Sequence, residues 1–207
     1  MHRDIPLTTL HLIRHGQTNW NLERRIQGQT DSVLTETGIE QAHRVAAILK
    51  SIPFTAAYSS SSIRARDTAL AILQHHQIEL TLRDDMREIF LGDWEGRLYQ
   101  DVAEEDNENH RYFAEDPSRF NLSGAETFYQ VQDRALAAIE SIMNQHPGEE
   151  ILLVSHGVWI KTILASIEQR AMEDFWRPPV MDNCCHSIIE FDQGHAKIVQ
   201  YAGQRQW

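Results

Sequence analysis

The sequence predicts an α/β fold, a three-layer α/β/α sandwich around a mainly parallel sheet. Short apolar runs typical of buried strands alternate along the chain with segments that repeat apolar residues at helical spacing. Two of those runs lead into a His-Gly pair, a pattern that suits strand ends at a ligand site. With 207 residues, 42% of them apolar, the chain is long enough to bury a core without disulfides.

The first half of the chain predicts two strand–helix units. Residues 8–13 form a short buried strand, and Thr35 caps a helix that runs to about Lys50. A second strand covers residues 55–59, and a second helix covers residues 63–73. Strands that alternate with helices in this way favour a parallel sheet covered on both faces.

The second half continues the alternation. Residues 123–126, Ser-Gly-Ala-Glu, fit a capping box that opens a long helix to about Asn144. Residues 151–154 are the clearest buried strand, and a helix over residues 158–167 follows it.

The chain is predicted to form one domain, residues 1–207, because no repeat or Pro/Gly/Ser-rich linker divides it. Near the end, strands at residues 187–191 and 197–201 predict a hairpin. Residues 97–122 are acidic and are predicted to be irregular. We expect them to form an insertion over one end of the sheet that acts as a lid.

Composition excludes several classes of function. The formal charge of −11, from 30 acidic and 19 basic residues, argues against a nucleic acid or an anionic membrane as partner. It leaves room for a small anionic substrate in a locally basic pocket. No apolar run reaches the roughly 18 residues of a membrane span, and residues 1–6 lack the apolar core of a secretory signal. The only cysteines, Cys184 and Cys185, are neighbours, which predicts a reducing, cytoplasmic location.

Two histidines occupy the same place in the predicted fold. Arg14-His15-Gly16 follows the first strand and Ser155-His156-Gly157 follows the strand at 151–154. Ligands bind outside the carboxyl ends of strands in open α/β sheets, so both imidazoles are expected to face one pocket. Each glycine is expected to allow a sharp turn and a close approach of the ligand to the backbone.

A basic element completes this pocket. Arg64 and Arg66 lie in the first turn of the helix after the second strand, where free N–H groups suit a phosphate. Either arginine alone reads as a solvated surface residue, but Arg64 with Arg14 and the two histidines makes a cationic site suited to a phosphate dianion. Flanking arginines favour the neutral form of an imidazole near pH 7. The ring nitrogen that does not face the substrate would be held by a backbone carbonyl, which fixes the tautomer. Such a histidine can attack phosphorus and form a phosphohistidine.

The leaving alkoxide needs a proton, so a carboxylic acid is expected in the same pocket. Residues 87–96 supply three candidates, Glu88, Asp93 and Glu95. Their spacing does not choose among them.

These residues resemble the histidine phosphatase superfamily, the phosphoglycerate mutase-like enzymes. The resemblance covers most of the chain, with residues 97–122 matched least. The matching motifs follow the family's order: Leu12-Ile-Arg-His-Gly-Gln-Thr-Asn-Trp-Asn21, Gly28-Gln-Thr-Asp31, Leu34-Thr-Glu-Thr-Gly-Ile-Glu-Gln-Ala42, Ser59 to Thr68, Arg87-Glu88 with Gly92-Asp-Trp-Glu-Gly96, and Val154-Ser-His-Gly157. The sequence is most similar to the short broad-specificity phosphatases and to the α-ribazole phosphate phosphatases.

The resemblance implies a three-layer sandwich fold and a mechanism that uses no metal and no cofactor. It also implies a role for each residue of the pocket. It implies that His15 is the phosphorylated nucleophile and that Glu88 is the proton donor. It also implies the residues that hold the phosphoryl group: Arg14, Arg64 and His156, with further phosphate contacts from Asn21 and Gln27.

The same site supports hydrolysis or transfer to a second hydroxyl. A phosphoglycerate mutase must also hold a carboxylate and a second phosphate and so needs a basic cover segment, whereas residues 104–108 are acidic. We therefore expect a phosphomonoesterase acting on small single-phosphate metabolites. A mutase, an α-ribazole phosphate phosphatase and a fructose-2,6-bisphosphatase are the alternatives.

Two hypotheses outside phosphatase chemistry remain. Eleven histidines raise the possibility of a metalloprotein, and His11 and His15 have the i, i+4 spacing of a metal pair. On a strand, four residues span roughly 13 Å, too far for one ion, so scattered surface histidines are the better explanation. The other reading is a catalytically dead phosphate-binding module. The oligomeric state is left open, with a homodimer among the possibilities.

Overall fold

The computed structural model describes residues 7–192 and 194–205, so our expectations for residues 1–6 and for Gln193 in the hairpin turn lie outside the described residues. The strands within the described residues are β1 (Thr8–Arg14), β2 (Ala56–Ser60), β3 (Leu80–Arg83), β4 (Glu150–Ser155), β5 (His186–Asp192), β6 (His195–Tyr201) and β7 (Gln204–Arg205). They form one sheet in the order β3-β2-β4-β1-β5-β6-β7.

The sheet is parallel in one half and antiparallel in the other. Strands β1 to β4 run parallel to one another. Strand β5 pairs antiparallel with β1, and β6 returns beside it as the second strand of the predicted hairpin. Strand β3 was missed by the sequence analysis, although residues 78–83 alternate apolar and polar side chains as a strand does.

Helices cover both faces of the sheet, which confirms the predicted α/β sandwich. The helices are α1 (Asn19–Glu23), α2 (Glu36–Leu49), α3 (Ile63–Ile72), α4 (Tyr99–Glu105), α5 (Asn107–Glu115), α6 (Phe128–Gln145) and α7 (Gly157–Ile167). Helices α2 and α3 pack together on one face, and α6 and α7 pack together on the other. Alternation along β1 sends Leu12 into the core under α6 and α7 and Ile13 into the core under α2 and α3.

Two details of the helix predictions are wrong. Helix α6 begins after Thr127, whose capping box is formed with Gln130, instead of at Ser123. The segment 97–122, predicted to be irregular, contains α4 and α5. Buried Val102 and Phe120 attach this segment to the core, which explains why a polar, acidic sequence is nevertheless ordered.

Among the described residues, no helix combines the length and the apolar character that crossing a membrane requires. The longest, α6, has 18 residues and carries charged side chains on its outer face.

Candidate active site

The two His-Gly pairs meet at one edge of the sheet. Strands β1 and β4 are parallel neighbours with Arg14 paired to Ser155, and each histidine follows directly. The imidazole centroids of His15 and His156 are 5.2 Å apart. The strand-end rule therefore places both rings together, as the sequence predicts.

His15 is held as a neutral ring with one nitrogen free. Its Nδ1 lies 2.8 Å from the carbonyl of Gly16, so Nδ1 carries the proton and Nε2 keeps the lone pair. Burial, followed by the positive charges of Arg64 and Arg14, lowers the pKa of His15 well below its ordinary value. The ring is thus neutral at pH 7, and its Nε2 lone pair is available.

Arg64 is buried beside this ring at the start of α3. Its guanidinium donates to the carbonyls of Gly28 (2.6 Å) and Thr30 (2.9 Å). Burial lowers its pKa to about 10, so it stays protonated at neutral pH. Arg14 donates from Nη1 to the carbonyl of Met181. In both arginines Nε is buried without a hydrogen-bond partner among the described residues.

The turn that receives Arg64 needs a glycine. Gly28 has φ +51°, and a Cβ there would lie 2.0 Å from a carboxylate oxygen of Glu95. Glu95 in turn accepts hydrogen bonds from the backbone N–H groups of Gln29 (2.8 Å) and Thr30 (2.9 Å). The Glu95 carboxylate therefore fixes the turn on which Arg64 rests.

Glu88 is the acid that reaches the pocket. Its two carboxylate oxygens accept from the N–H groups of Val158 (3.1 Å) and Trp159 (3.2 Å) in the first turn of α7. Of the other two candidates, Glu95 is hydrogen-bonded to the backbone of the turn at Gln29 and Thr30. Asp93 is exposed and lies outside the cavity. The structure thus separates three acids that the spacing left equivalent.

His156 is fully buried beside His15. Its Nε2 lies 2.8 Å from the hydroxyl of Ser60, the last residue of β2. Its Nδ1 is buried and has no hydrogen-bond partner among the described residues. Burial and the charge of Arg64 lower the pKa of His156 well below its ordinary value, so this ring is also neutral.

Asn21 and Gln27 line the same cavity, and their amide oxygens are already engaged. Asn21 Oδ1 accepts from the backbone N–H of Thr18 (3.0 Å), and Gln27 Oε1 accepts from the hydroxyl of Ser32 (2.6 Å). The NH2 group of each side chain is the donor left for a ligand.

The sharp turn predicted at the two glycines is not observed, whereas Gly157 lines the cavity, where a close approach of the ligand stays a prediction. Neither Gly16 nor Gly157 has a positive φ. A Cβ on Gly16 would lie 2.6 Å from the carbonyl oxygen of Gly38 in α2, so this glycine allows two backbone segments to touch. A Cβ on Gly157 would reach only ordinary contact, 3.6 Å from Arg14 Nε.

The cavity has a volume of about 250 Å³ and a polar floor, and its outer wall was missed by the sequence analysis. The outer wall is mostly aromatic and apolar and comes from distant segments: Tyr99, Phe113, Lys161, Trp176, Val180 and Met181. The indole N–H of Trp176 donates to the carbonyl of Phe113 (2.6 Å), which joins segment 97–122 to the loop before β5. No local pattern marks these residues, because they meet only through tertiary packing.

Lys161 is the one further cation of this wall among the described residues. Its ammonium is buried and donates to the carbonyls of Arg177 and Pro179, each at 2.8 Å. Burial and the nearby charge of Arg170 lower the pKa of Lys161 to about 8. This side chain fixes the loop that carries Trp176 and Val180.

The acidic run at 104–108 does not face the cavity. Its side chains are largely exposed, and segment 97–122 presents Tyr99 and Phe113 to the cavity instead. The expectation of an acidic lid surface over the substrate is therefore wrong, because α4 and α5 turn their acids to solvent.

The histidines do not form the metal pair considered from the sequence. His11 is buried, where a surface position was expected, and its ring bonds to His186 (3.0 Å) and Glu150 (2.8 Å). No group of three or more His, Cys, Asp or Glu residues with a geometry suited to a metal ion occurs in the described part of the chain.

A neutral imidazole with a free lone pair, two arginines, a second imidazole and a carboxyl group at one edge of an α/β sheet make a site suited to phosphoryl transfer. The chain belongs to the histidine phosphatase superfamily (branch 1), whose sequence profile matches residues 10–203. This confirms the predicted family and its phosphatase chemistry.

The relatives include proteins named as phosphatases and proteins named as phosphoglycerate mutases. A metal-independent phosphoserine phosphatase of Arabidopsis thaliana is 36% identical over 166 residues, 79% of this chain and 70% of the relative. A probable phosphoglycerate mutase GpmB of Salmonella choleraesuis is 35% identical over 158 residues, which cover 76% of this chain and 74% of the relative. The structure of Bacillus stearothermophilus YhfR superimposes with a TM-score of 0.93 at 38% identity, covering 96% of this chain and 98% of the other.

Proposed function

We propose that this protein is a metal-independent phosphomonoesterase that passes the phosphoryl group of a small ester to His15 and then to water. One observation carries the proposal. Arg14 Nε, Arg64 Nε and His156 Nδ1 are buried beside His15 without hydrogen-bond partners among the described residues. Leaving buried nitrogens unpaired costs free energy, and a phosphoryl group bound at His15 would supply oxygen acceptors for all three.

In the first step, Nε2 of His15 forms a bond to phosphorus as the bond from phosphorus to the ester oxygen breaks. Glu88 transfers its proton to the departing oxygen, so an alcohol leaves in place of an alkoxide. Arg14 and Arg64 bind the equatorial oxygens, where charge accumulates in the transition state.

In the second step, water attacks the phosphohistidine. The carboxylate of Glu88, now unprotonated, takes a proton from that water, and His15 leaves as a neutral ring. Inorganic phosphate is released, and both side chains return to their starting protonation states.

We further propose single-phosphate esters with an apolar or aromatic leaving group as substrates. Arg14 and Arg64 supply two positive charges for one dianion. A second phosphate would lie against Tyr99, Phe113 and Trp176. Lys161, the one extra cation there among the described residues, is bonded to two carbonyls. A bisphosphate hydrolysed far more efficiently than every monoester tested would contradict this proposal.

A phosphoglycerate mutase and a fructose-2,6-bisphosphatase are less well matched for the same reason, since the substrates of both carry a further anionic group besides the phosphate bound at His15. An α-ribazole phosphate phosphatase fits the aromatic wall and stays within the proposed substrate class. A phosphate-binding module without turnover stays an outcome of the experiment below.

The first experiment measures turnover of p-nitrophenyl phosphate with EDTA present, together with acid-quench labelling from a radiolabelled ester. We expect turnover and a base-stable, acid-labile label on the protein, both lost in His15→Ala while the circular dichroism spectrum is kept. Near-wild-type turnover by His15→Ala would remove the nucleophile assignment. Binding of esters without turnover by the wild type would favour the binding module.

The remaining assignments are part of the proposal. Segment 97–122 is proposed as a lid because Tyr99 and Phe113 form part of the cavity wall. A single domain, a cytoplasmic location and the absence of a nucleic-acid partner stay predictions of the sequence. Size-exclusion chromatography with light scattering would determine whether the protein is a homodimer.

A further inference from the structure

Ser60 is a buried residue at the end of β2 that no part of the mechanism above uses. Its Oγ lies 2.8 Å from Nε2 of His156. It also accepts a hydrogen bond from the backbone N–H of Ser62 at 3.3 Å. The position follows from topology, because β2 and β4 are parallel neighbours and His156 comes directly after β4.

One arrangement satisfies every hydrogen-bonding group at the Ser60 hydroxyl. A hydroxyl group has one proton to donate and lone pairs to accept. The Ser62 N–H already donates to Oγ, and among the described residues the only acceptor within reach of the Ser60 proton is His156 Nε2. If Oγ accepted from both the Ser62 N–H and an Nε2–H, its own buried proton would have no acceptor among the described residues, which costs free energy. Donation from the hydroxyl to Nε2 satisfies both groups, so Nε2 carries the lone pair.

We propose that Ser60 is a positioning residue that fixes the tautomer of His156, so that Nδ1 carries the proton and donates it as a hydrogen bond to the phosphoryl group. In the opposite tautomer, Nδ1 would present a lone pair to phosphate oxygen and repel it. The inference rests on the proposed function, because it gives His156 a phosphoryl group to bind.

The two histidines are then set in complementary ways. The Gly16 carbonyl accepts the Nδ1 proton of His15 and leaves its Nε2 lone pair free to attack. The Ser60 hydroxyl donates to Nε2 of His156 and leaves its Nδ1–H free to bind. An acceptor fixes the nucleophile and a donor fixes the binding group, so each ring has the tautomer that its task requires.

The direct test is a long-range ¹H–¹⁵N correlation spectrum of the full chain labelled with ¹⁵N-histidine, with the His156 signals assigned by their loss in His156→Gln. We expect the shift of a protonated nitrogen at Nδ1 and of an unprotonated one at Nε2. In Ser60→Ala, both tautomers become populated, and the two ¹⁵N shifts move toward each other. A proton on Nε2 in the wild type overturns the proposal.

Ser59 provides a matched control. It is also a fully buried serine of β2, but its hydroxyl donates to the backbone carbonyl of Ser60 (2.9 Å) and does not contact His156. Loss of one hydrogen bond of this kind corresponds to about a tenfold change in an equilibrium or a rate. We expect Ser60→Ala to weaken the binding of inorganic phosphate and to slow the labelling of His15, each about tenfold, and Ser59→Ala to do neither.

Equal kinetic effects of Ser59→Ala and Ser60→Ala would overturn the proposal, since both would then report only lost packing or stability. Unchanged His156 shifts in Ser60→Ala would overturn it as well. If the wild type hydrolyses no ester, the proposed function fails, but the tautomer of His156 is still read from the spectrum. The two failures are therefore distinguishable.

Discussion

The stability of this protein is predicted to fall steeply in mild acid, and His186 is the residue where the effect can be quantified. His186, in β5, places its Nε2 3.0 Å from Nδ1 of His11, whose Nε2 lies 2.8 Å from the carboxylate of Glu150. With Glu150 accepting from His11, the remaining lone pair on His11 accepts the Nε2 proton of His186. Burial, then the charge of His11, lowers the pKa of His186 from its ordinary value of 6.5 to about 3.

The direction of the pH effect follows from the pKa difference. Between the two values the unfolded chain binds a proton at His186 and the folded protein does not, so stability rises with pH there. The contribution is fully present above pH 6.5 and is lost as the pH falls toward 3. Between pH 7.5 and pH 5 the loss at this one residue is about 2 kcal/mol.

The assay is urea unfolding followed by tryptophan fluorescence at these two pH values. His186→Gln keeps an N–H donor for His11 but does not titrate, so we expect its stability to fall by about 2 kcal/mol less than that of the wild type. Ile189→Val, a buried control on the same strand, should lose about 1 kcal/mol at both pH values. An equal fall for His186→Gln and the wild type would refute the reasoning.

Two further predictions concern the active site. Glu88→Gln should slow His15 phosphorylation by about 10²–10⁴-fold with an alkyl phosphate but much less with p-nitrophenyl phosphate, whose leaving group needs no proton; equal losses in rapid-quench assays would contradict its role as acid. Trp176→Ala should lower kcat/KM about tenfold for naphthyl phosphate and little for glycerol phosphate. Trp176→Phe should retain most of the aryl preference, and a uniform loss on both esters would argue against an aromatic subsite.

The sequence predicts the floor of the site because local patterns determine it. An apolar strand followed by His-Gly can be recognised wherever it occurs, and parallel strands bring their carboxyl ends to one edge of the sheet. The pairing of Arg14 with Ser155 is then enough to bring His15 and His156 together.

The wall of the site could not be predicted, because it depends on packing between distant segments. Phe113 and Trp176 are 63 residues apart and meet through one hydrogen bond and a ring contact. The contact of buried His11 with partly buried His186 was missed for a similar reason. They are brought together by the register of β1 with β5, which pairs Ile13 with His186. Such a register is not visible in either strand alone.

The structure also changes which groups are available to hold the phosphoryl group. Free N–H groups at helix N-termini are a common phosphate site, and the position of Arg64 in the first turn of α3 suggested one here. The Ile63 N–H of that turn instead donates to the carboxylate of Asp31 (2.9 Å).

The first turn of α7 is occupied in the same way, since the Val158 and Trp159 N–H groups bind Glu88. Both helix termini beside the site thus hold carboxylates, and we expect phosphate to be bound mainly by side-chain nitrogens: those of the arginines and His156, with the NH2 groups of Asn21 and Gln27. Phosphate affinity should therefore depend on the tautomer of His156 more than on the two helix dipoles, because only the side chain has a second state in which it repels the ligand.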